Sequence, residues 1–221
     1  MRLVIISDTH NKHNEIQLPK GDILIHAGDL TGKGTLQEVE YSMKWLEKQS
    51  VNFKKVIWIA GNHDFYFENS PKEAKNSIPK ETIYLENDYY VYDKVKFFGS
   101  PIQPFFYNWA FNKHRGSEIA KYWDIIPQDT DILITHGPCY GILDETISGY
   151  KTGCEDLLKK VYEIKPSIHI CGHIHEARGI EKHNDILFIN ASVLNERYQH
   201  VNKSIVIDFD PITKKCEIIE Q

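Results

Sequence analysis

The stretch Arg2-Leu-Val-Ile-Ile-Ser-Asp-Thr-His10 carries four consecutive apolar residues, Leu3 to Ile6, and runs directly into Asp8 and His10. A short apolar run that stops at polar residues reads as a strand. Acidic and imidazole groups at its carboxyl end put chemistry at the rim of a sheet, where loops converge over a rigid edge.

The same design recurs four times. Asp22-Ile-Leu-Ile-His-Ala-Gly-Asp29 and Lys55-Val-Ile-Trp-Ile-Ala-Gly-Asn-His-Asp64 follow in the first half. Asp131-Ile-Leu-Ile-Thr-His136 and Ser167-Ile-His-Ile-Cys-Gly-His-Ile-His175 follow in the second. Five strand ends can thus meet at one place. Asp8 and His10 are two residues apart, as are His173 and His175, so a persisting extended backbone would point each pair to one side. Gly28, Gly61, Gly137 and Gly172 adjoin four of the five groups and allow close backbone approach.

Outside these segments, strand patterns cover Thr82-Glu86, Tyr89-Tyr92, Lys96-Gly99, Ile186-Asn190, Ser204-Phe209 and Cys216-Ile219. Leu36, Val39, Met43 and Leu46 form a helical stripe within Thr35-Gln49, with Thr35 as N-cap; Ser117-Trp123 and Gly153-Ile164 read similarly. Helices alternate with strands early, while strands cluster near residues 82-99 and after 186. The expected fold is an α/β sandwich of two packed sheets with helices outside. Neither a repeat nor a linker divides the chain, so residues 1-221 are expected to form a single domain.

Composition narrows the function. With 41% hydrophobic and 26% charged residues, the chain can bury a sizeable core. No apolar stretch approaches the roughly 18 residues needed to cross a bilayer, and the first ends at Ser7, which argues against a signal peptide or membrane anchor. Cys139, Cys154, Cys171 and Cys216 lack CxxC spacing, which points to a reduced, cytoplasmic protein. A net charge of -5 without Lys/Arg clusters argues against long nucleic acids. A small phosphorylated substrate remains compatible, because bound cations supply a local positive field.

Imidazole, carboxylate and amide donors without thiolate suit two divalent ions, manganese first, with iron, zinc and magnesium as alternatives. Two adjacent ions need a bridging ligand, and Asp29, alone on its loop, is the candidate. Such a pair acidifies a water and neutralises charge on a phosphoryl group, which gives hydrolysis without a covalent intermediate.

Other residues have plainer readings. His26 and His169 lie inside strands as core residues, and His183 and His200 fall in polar loops. His13 and Arg115 lie in loops that could overhang the site and bind substrate, Arg115 as a phosphate clamp; the alternative for each is a solvated loop position. The aromatic segment from Pro104 to Phe111 reads as core between sheets, with a base-stacking wall as the rival. The sequons at Asn190 and Asn202 read as chance matches.

Taken together, Asp8-Thr-His10, Gly28-Asp29, Gly61-Asn-His-Asp64, His136 and Gly172-His-Ile-His175 resemble the calcineurin-like metallophosphoesterases. Trp109-Ala-Phe-Asn112, Thr135-His-Gly-Pro138, Gly141-Ile-Leu-Asp144 and Ile189-Asn-Ala-Ser192 look like the MPPED-type subgroup. The resemblance implies a four-layer α/β/β/α sandwich. It implies one metal on Asp8, His10, Asp29 and His175, and a second on Asp29, Asn62, His136 and His173. His63 would stabilise the transition state and protonate the leaving oxygen, with Asp64 orienting its ring. Some animal members of the subgroup carry Gly in place of His173, so its retention points to a competent enzyme. The expected activity is hydrolysis of phosphodiesters, cyclic nucleotides among them. The alternatives are a phosphomonoesterase or pyrophosphatase on the same site, and a protein-interaction scaffold of the same fold.

Overall fold

The computed structural model describes residues 1–220. The first half of the chain contains β1 (Arg2–Ile6), β2 (Ile23–Ala27), α1 (Leu36–Ser50), β3 (Lys55–Ile59), α2 (Phe65–Asn69), α3 (Pro71–Asn76) and β4 (Thr82–Tyr84). Next come β5 (Asp88–Tyr92), β6 (Val95–Ser100), β7 (Gln103–Pro104), β8 (Asn112–Lys113), α4 (Ser117–Asp124) and β9 (Ile132–Thr135). The remainder is α5 (Glu155–Ile164), β10 (Ile168–Cys171), β11 (Gly179–His183), β12 (Ile186–Asn190), β13 (Ile205–Phe209) and β14 (Cys216–Glu220).

Two six-stranded sheets result, ordered β14-β13-β1-β2-β3-β4 and β11-β12-β10-β9-β6-β5. The pleat explains why both faces of the strands are apolar. Leu3 and Ile5 point into the cluster between the sheets, joined by Ile23, Ile57, Ile132 and Ile168. Val4 and Ile6 point the other way, into a cluster that includes Val39, Met43 and Leu46 of α1. On the second sheet, Leu133 and Phe188 share that outer cluster with Ile119 and Trp123 of α4 and Leu157 and Val161 of α5. Each central strand is therefore covered twice, as an α/β/β/α arrangement requires.

Thr35 caps α1 as expected: its hydroxyl accepts from Glu38 N at 3.3 Å while Glu38 accepts from Thr35 N at 3.1 Å. Five elements were not foreseen, among them the two-residue strands β7 and β8. α2 and α3 are only one to two turns long, too short for a periodic stripe, and β11 is a polar edge strand. His183 therefore sits at the end of β11 and not in a loop, pairing with Glu181 at 2.6 Å.

The sheets touch where their carboxyl ends meet. Ser7, just past β1, forms a parallel bridge with Ser192, just past β12, and Val193 N donates to Ser7 O at 3.1 Å. This seam brings both sets of loops over a shared edge.

His26 and His169 are buried in strands as expected, and each ring has a hydroxyl partner, Thr9 at 3.0 Å and Thr135 at 2.8 Å. His13 is buried too, against Tyr41 and Trp45, so it neither overhangs the site nor faces solvent. Burial pushes all three down, His13 to about 4 and His26 and His169 to about 3. The unfolded chain thus takes up protons below pH 6.5 that these native side chains refuse, so stability falls as pH falls from 6.5 toward 4. At pH 5 the loss is about 2 kcal/mol per histidine. Urea unfolding at pH 7 and pH 5 should show a loss, and His169→Gln should reduce it by that histidine's share of about 2 kcal/mol. A pH dependence unchanged in the variant would contradict the assignment.

Candidate metal centre

Asp8 and His10 meet the site by a route different from an extended backbone. Asp8, His10, Asp29 and His173 all take left-handed conformations, with φ of 57°, 41°, 57° and 70°. Each is rare for a residue with a Cβ and must be held by its surroundings. Asp8 N donates to Gly28 O and His10 N to Asp29 O, both at 3.0 Å, which ties the loop after β1 to the loop after β2. At Gly28, with φ of 101°, a Cβ would lie 2.5 Å from His136 Nδ1. At Gly61 a Cβ would press on Asp29 N at 2.5 Å and on its carboxylate. The glycines serve the approach of site side chains.

Seven of the candidate ligands come together. His10 Nε2 and His175 Nε2 lie 3.4 Å apart, with Asp29 Oδ2 3.6 Å from the first and Asp8 Oδ1 3.5 Å from the second. Beside them, Asn62 Oδ1 is 2.8 Å from His136 Nε2 and 2.7 Å from His173 Nδ1, and His136 Nε2 is 3.4 Å from Asp29 Oδ2. Asp29 belongs to both groups.

Tutelage of the rings comes from backbone carbonyls. A carbonyl can only accept, so His10 Nδ1 donates to Thr31 O at 3.2 Å, His136 Nδ1 to Ala27 O at 3.0 Å and His175 Nδ1 to Asn195 O at 2.9 Å. The Nε2 atoms then face one another and the carboxylates, and in a neutral ring each presents a lone pair there. Lone pairs opposed at such distances repel unless a cation or proton lies between them. Two ligands on one cation at about 2.1 Å sit about 3.0–3.4 Å apart, so the donor set fits divalent metal.

The charges agree. Burial would raise Asp8, but the hydrogen bond and charge of His175, with His136 and His10, hold it well below the usual carboxylate range. Asp29 is likewise held low against burial by His136, His10 and His63. Burial would lower His136 and His175; Asp29 outweighs it for the first and Asp8 for the second, and both rise to about 9. Burial keeps His10 near 4 and His173 near 3, each pushed down to about that value. Protons on His136 and His175 therefore balance the buried carboxylates, and cations that displace them would take over that balance.

His63 lines the same cavity, but Asp64 does not orient its ring. His63 Nδ1 donates to Gly32 O at 2.6 Å, and its face lies 4.2 Å from Trp109. Asp64 instead accepts from Thr31 Oγ1 and Gly61 N, both at 2.7 Å, from Thr31 N at 2.9 Å and from Leu30 N at 3.3 Å. It fastens the Asp29 loop to the Gly61 turn. Burial, reinforced by the charge of Asp29, raises it to about 6 despite those bonds. Asp64 is next to His63 in sequence, yet the tight turn sends the two side chains to different partners.

Arg115 reaches the cavity wall, but its Nη1 and Nη2 donate to Gly153 O at 2.6 Å and Thr152 O at 2.7 Å. It clasps a loop. The Pro104–Phe111 segment is not core throughout: Phe105, Phe106 and Tyr107 are exposed and Trp109 half-buried, while Ala110 and Phe111 are buried. Three residues were missed. Ser192 donates to Asp8 Oδ2 at 2.6 Å, Asn195 orients His175, and Tyr198 packs 4.8 Å from His10. Ser192 had a signal in the Ile189-Asn-Ala-Ser192 stretch; Asn195 acts through its backbone and had none.

A buried cluster of imidazoles and carboxylates at the shared edge of two sheets is a candidate site for divalent metal. Residues 1–177 match the family model of the calcineurin-like phosphoesterases, and the chain belongs to that family. Its members use divalent metals to hydrolyse phosphoesters. The chain is 39% identical to human Metallophosphoesterase domain-containing protein 1 over 231 residues, covering 94% of this chain and 70% of that protein. Many solved structures share the fold, among them two with a described role. One, described as a novel archaeal phosphodiesterase, has a TM-score of 0.51 at 19% identity over 99% of both chains. The other, Plasmodium GAP50, described as the anchor in the inner membrane complex, has a TM-score of 0.55 at 12% identity, covering 94% of this chain and 80% of that one. No helix among the described residues is long and apolar enough to cross a membrane.

Removing the Asp64 carboxylate strands buried donors, each worth about 1–3 kcal/mol. Asp64→Ala should therefore lose at least about 3 kcal/mol in urea unfolding, with Asp64→Asn intermediate. Full stability with abolished turnover would instead return Asp64 to a direct role in the reaction.

Proposed function

We propose that residues 1–221 form one phosphoesterase domain that hydrolyses phosphodiesters, cyclic nucleotides among them, with two divalent cations, manganese by preference. One set of holders is Asp8, His10, Asp29 and His175; the other is Asp29, Asn62, His136 and His173. The single observation that carries this reading is Asp29 Oδ2, 3.6 Å from His10 Nε2 of the first set and 3.4 Å from His136 Nε2 of the second. When bound, such cations polarise a phosphoryl oxygen and make water a nucleophile near neutral pH.

The protein's own groups do the rest. Asp8 is steadied by Ser192 Oγ and by the His173 amide, which leaves it little freedom to move. His63, anchored through Nδ1 to Gly32, keeps Nε2 as the atom that can hold a proton for the leaving oxygen. The cavity opens between loops, so both ester groups of a diester have room, and the fold relative described as a phosphodiesterase supports that preference. The free cysteines Cys139, Cys154, Cys171 and Cys216 support a reducing, cytoplasmic setting.

A metal titration read by calorimetry should find two ions in the wild type. Asn62→Ala and His173→Ala should weaken one of them selectively, with activity partly recovered at high metal; equal weakening of both would refute the division into two sets.

His63→Ala should keep both ions and lose about 10²–10⁴-fold in turnover of an alkyl or nucleoside ester. The loss should be smaller for a nitrophenyl ester, whose leaving group needs no proton. Loss of an ion would make His63 a ligand, and equal losses on the two esters would exclude proton donation. Comparing a diester with its monoester under the same conditions separates the phosphodiesterase from a phosphomonoesterase.

A further inference from the structure

Beyond the polar donors, the cavity of about 390 Å³ is walled by aromatic and apolar side chains, Pro104, Phe105, Phe106 and Trp109 from one loop and Ile174 and Tyr198 from two others. Arg115, the guanidinium on this wall, is committed to the carbonyls of Thr152 and Gly153. The aromatic wall is held rigidly. Phe105 N donates to Lys113 O at 2.8 Å and Ala110 N to Asn62 O at 3.1 Å, while Asn112 Nδ2 reaches the carbonyls of Phe106 and Tyr107. The loop is closed on itself and tied to the Asn62 turn, yet Phe105 and Phe106 remain 50% and 54% exposed.

Tyr198 shows the same combination. Its φ of 57° is unusual for a bulky residue, and the conformation is enforced by Asn195, whose Oδ1 accepts from Arg197 N and Gln199 N. Lys12 Nζ adds a bond to Tyr198 O at 2.6 Å, yet the residue stays 43% exposed. Its ring lies 4.8 Å from His10 and 5.2 Å from His175, while Trp109 lies 4.2 Å from His63. His10 and His63 are themselves 4.5 Å apart, so the two aromatic rings flank the imidazoles of the reaction site. Aromatic rings fixed in this way, Trp109 half-buried and Tyr198 exposed, line the cavity beside a polar centre and can contact a flat apolar group.

We propose that Trp109 and Tyr198 are specificity-determining residues that select phosphodiesters carrying a flat aromatic group on the ester oxygen that is not cleaved. The proposal rests on the phosphodiesterase reading above. That group, whether a simple aryl ring or a nucleobase, lies against the Trp109 and Tyr198 walls while the phosphorus sits among the imidazoles.

The test uses the metal-replete protein and three diesters with one leaving group: methyl, phenyl and thymidine 5′-(4-nitrophenyl) phosphate. The kcat/KM of the phenyl ester should exceed that of the methyl ester about tenfold or more, chiefly through KM. Trp109→Ala and Tyr198→Ala should each shrink this ratio at least threefold; any displacement of His63 affects both esters and cancels. Trp109→Leu preserves bulk should Trp109→Ala unfold. Calorimetric binding of phenylphosphonate against methylphosphonate should give the same preference without turnover. A thymidine ester favoured as strongly as the phenyl ester identifies nucleosides as the source of the ring, and a preference confined to phenyl identifies simple aryl esters. A ratio near one in the wild type, or one unchanged in both variants, overturns the proposal. A protein that turns over no diester overturns the phosphodiesterase reading and this proposal with it.

Discussion

Two carboxylates buried at the seam between the sheets, Asp8 at 0% and Asp29 at 2% exposure, set the terms for the rest of this structure. An ionised group removed from water is costly unless opposite charge and hydrogen bonds surround it. Here the compensation comes from across the seam: the second sheet's loops send His136 and His175 toward the carboxylates of the first. Docking of the sheets and compensation of the buried carboxylates are therefore energetically linked.

The same requirement explains the backbone. Left-handed conformations at Asp8, His10, Asp29 and His173 bend the chain so that side chains from different strand ends face one point. Asp64 restrains the loop beside Asp29 by collecting donors from Leu30, Thr31 and Gly61 on one carboxylate. Conserving such a conformation by packing alone would be difficult in loops, whereas a buried anion with several donors fixes both loops at once.

Around this rigid centre the outer loops differ in character. They bond to themselves and to the site's backbone, as Ala110 does to Asn62, but leave large aromatic side chains uncovered. The candidate metal-binding edge and the aromatic mouth thus have separate sources of stability. The first is set by charge compensation, the second by loop hydrogen bonds.

The sequence by itself determined the buried strands, the layered architecture and the clustering of polar residues at strand ends. Those features follow from local periodicity: Leu3 to Ile6 must be covered on both faces wherever they fold, and Asp8 must then emerge at an edge. The Asp8-Thr-His10 spacing also located the site, although the left-handed backbone that brings its members together was not legible in it. Tertiary structure alone decided the partners. Asp64 turns from His63 to Thr31 and Gly61, His13 disappears beneath Trp45, Arg115 is drawn to a loop's carbonyls, and Trp109 is brought against His63. These outcomes depend on contacts between residues distant along the chain, whose geometry appears only once two sheets have docked and their buried charges have found opposite charge.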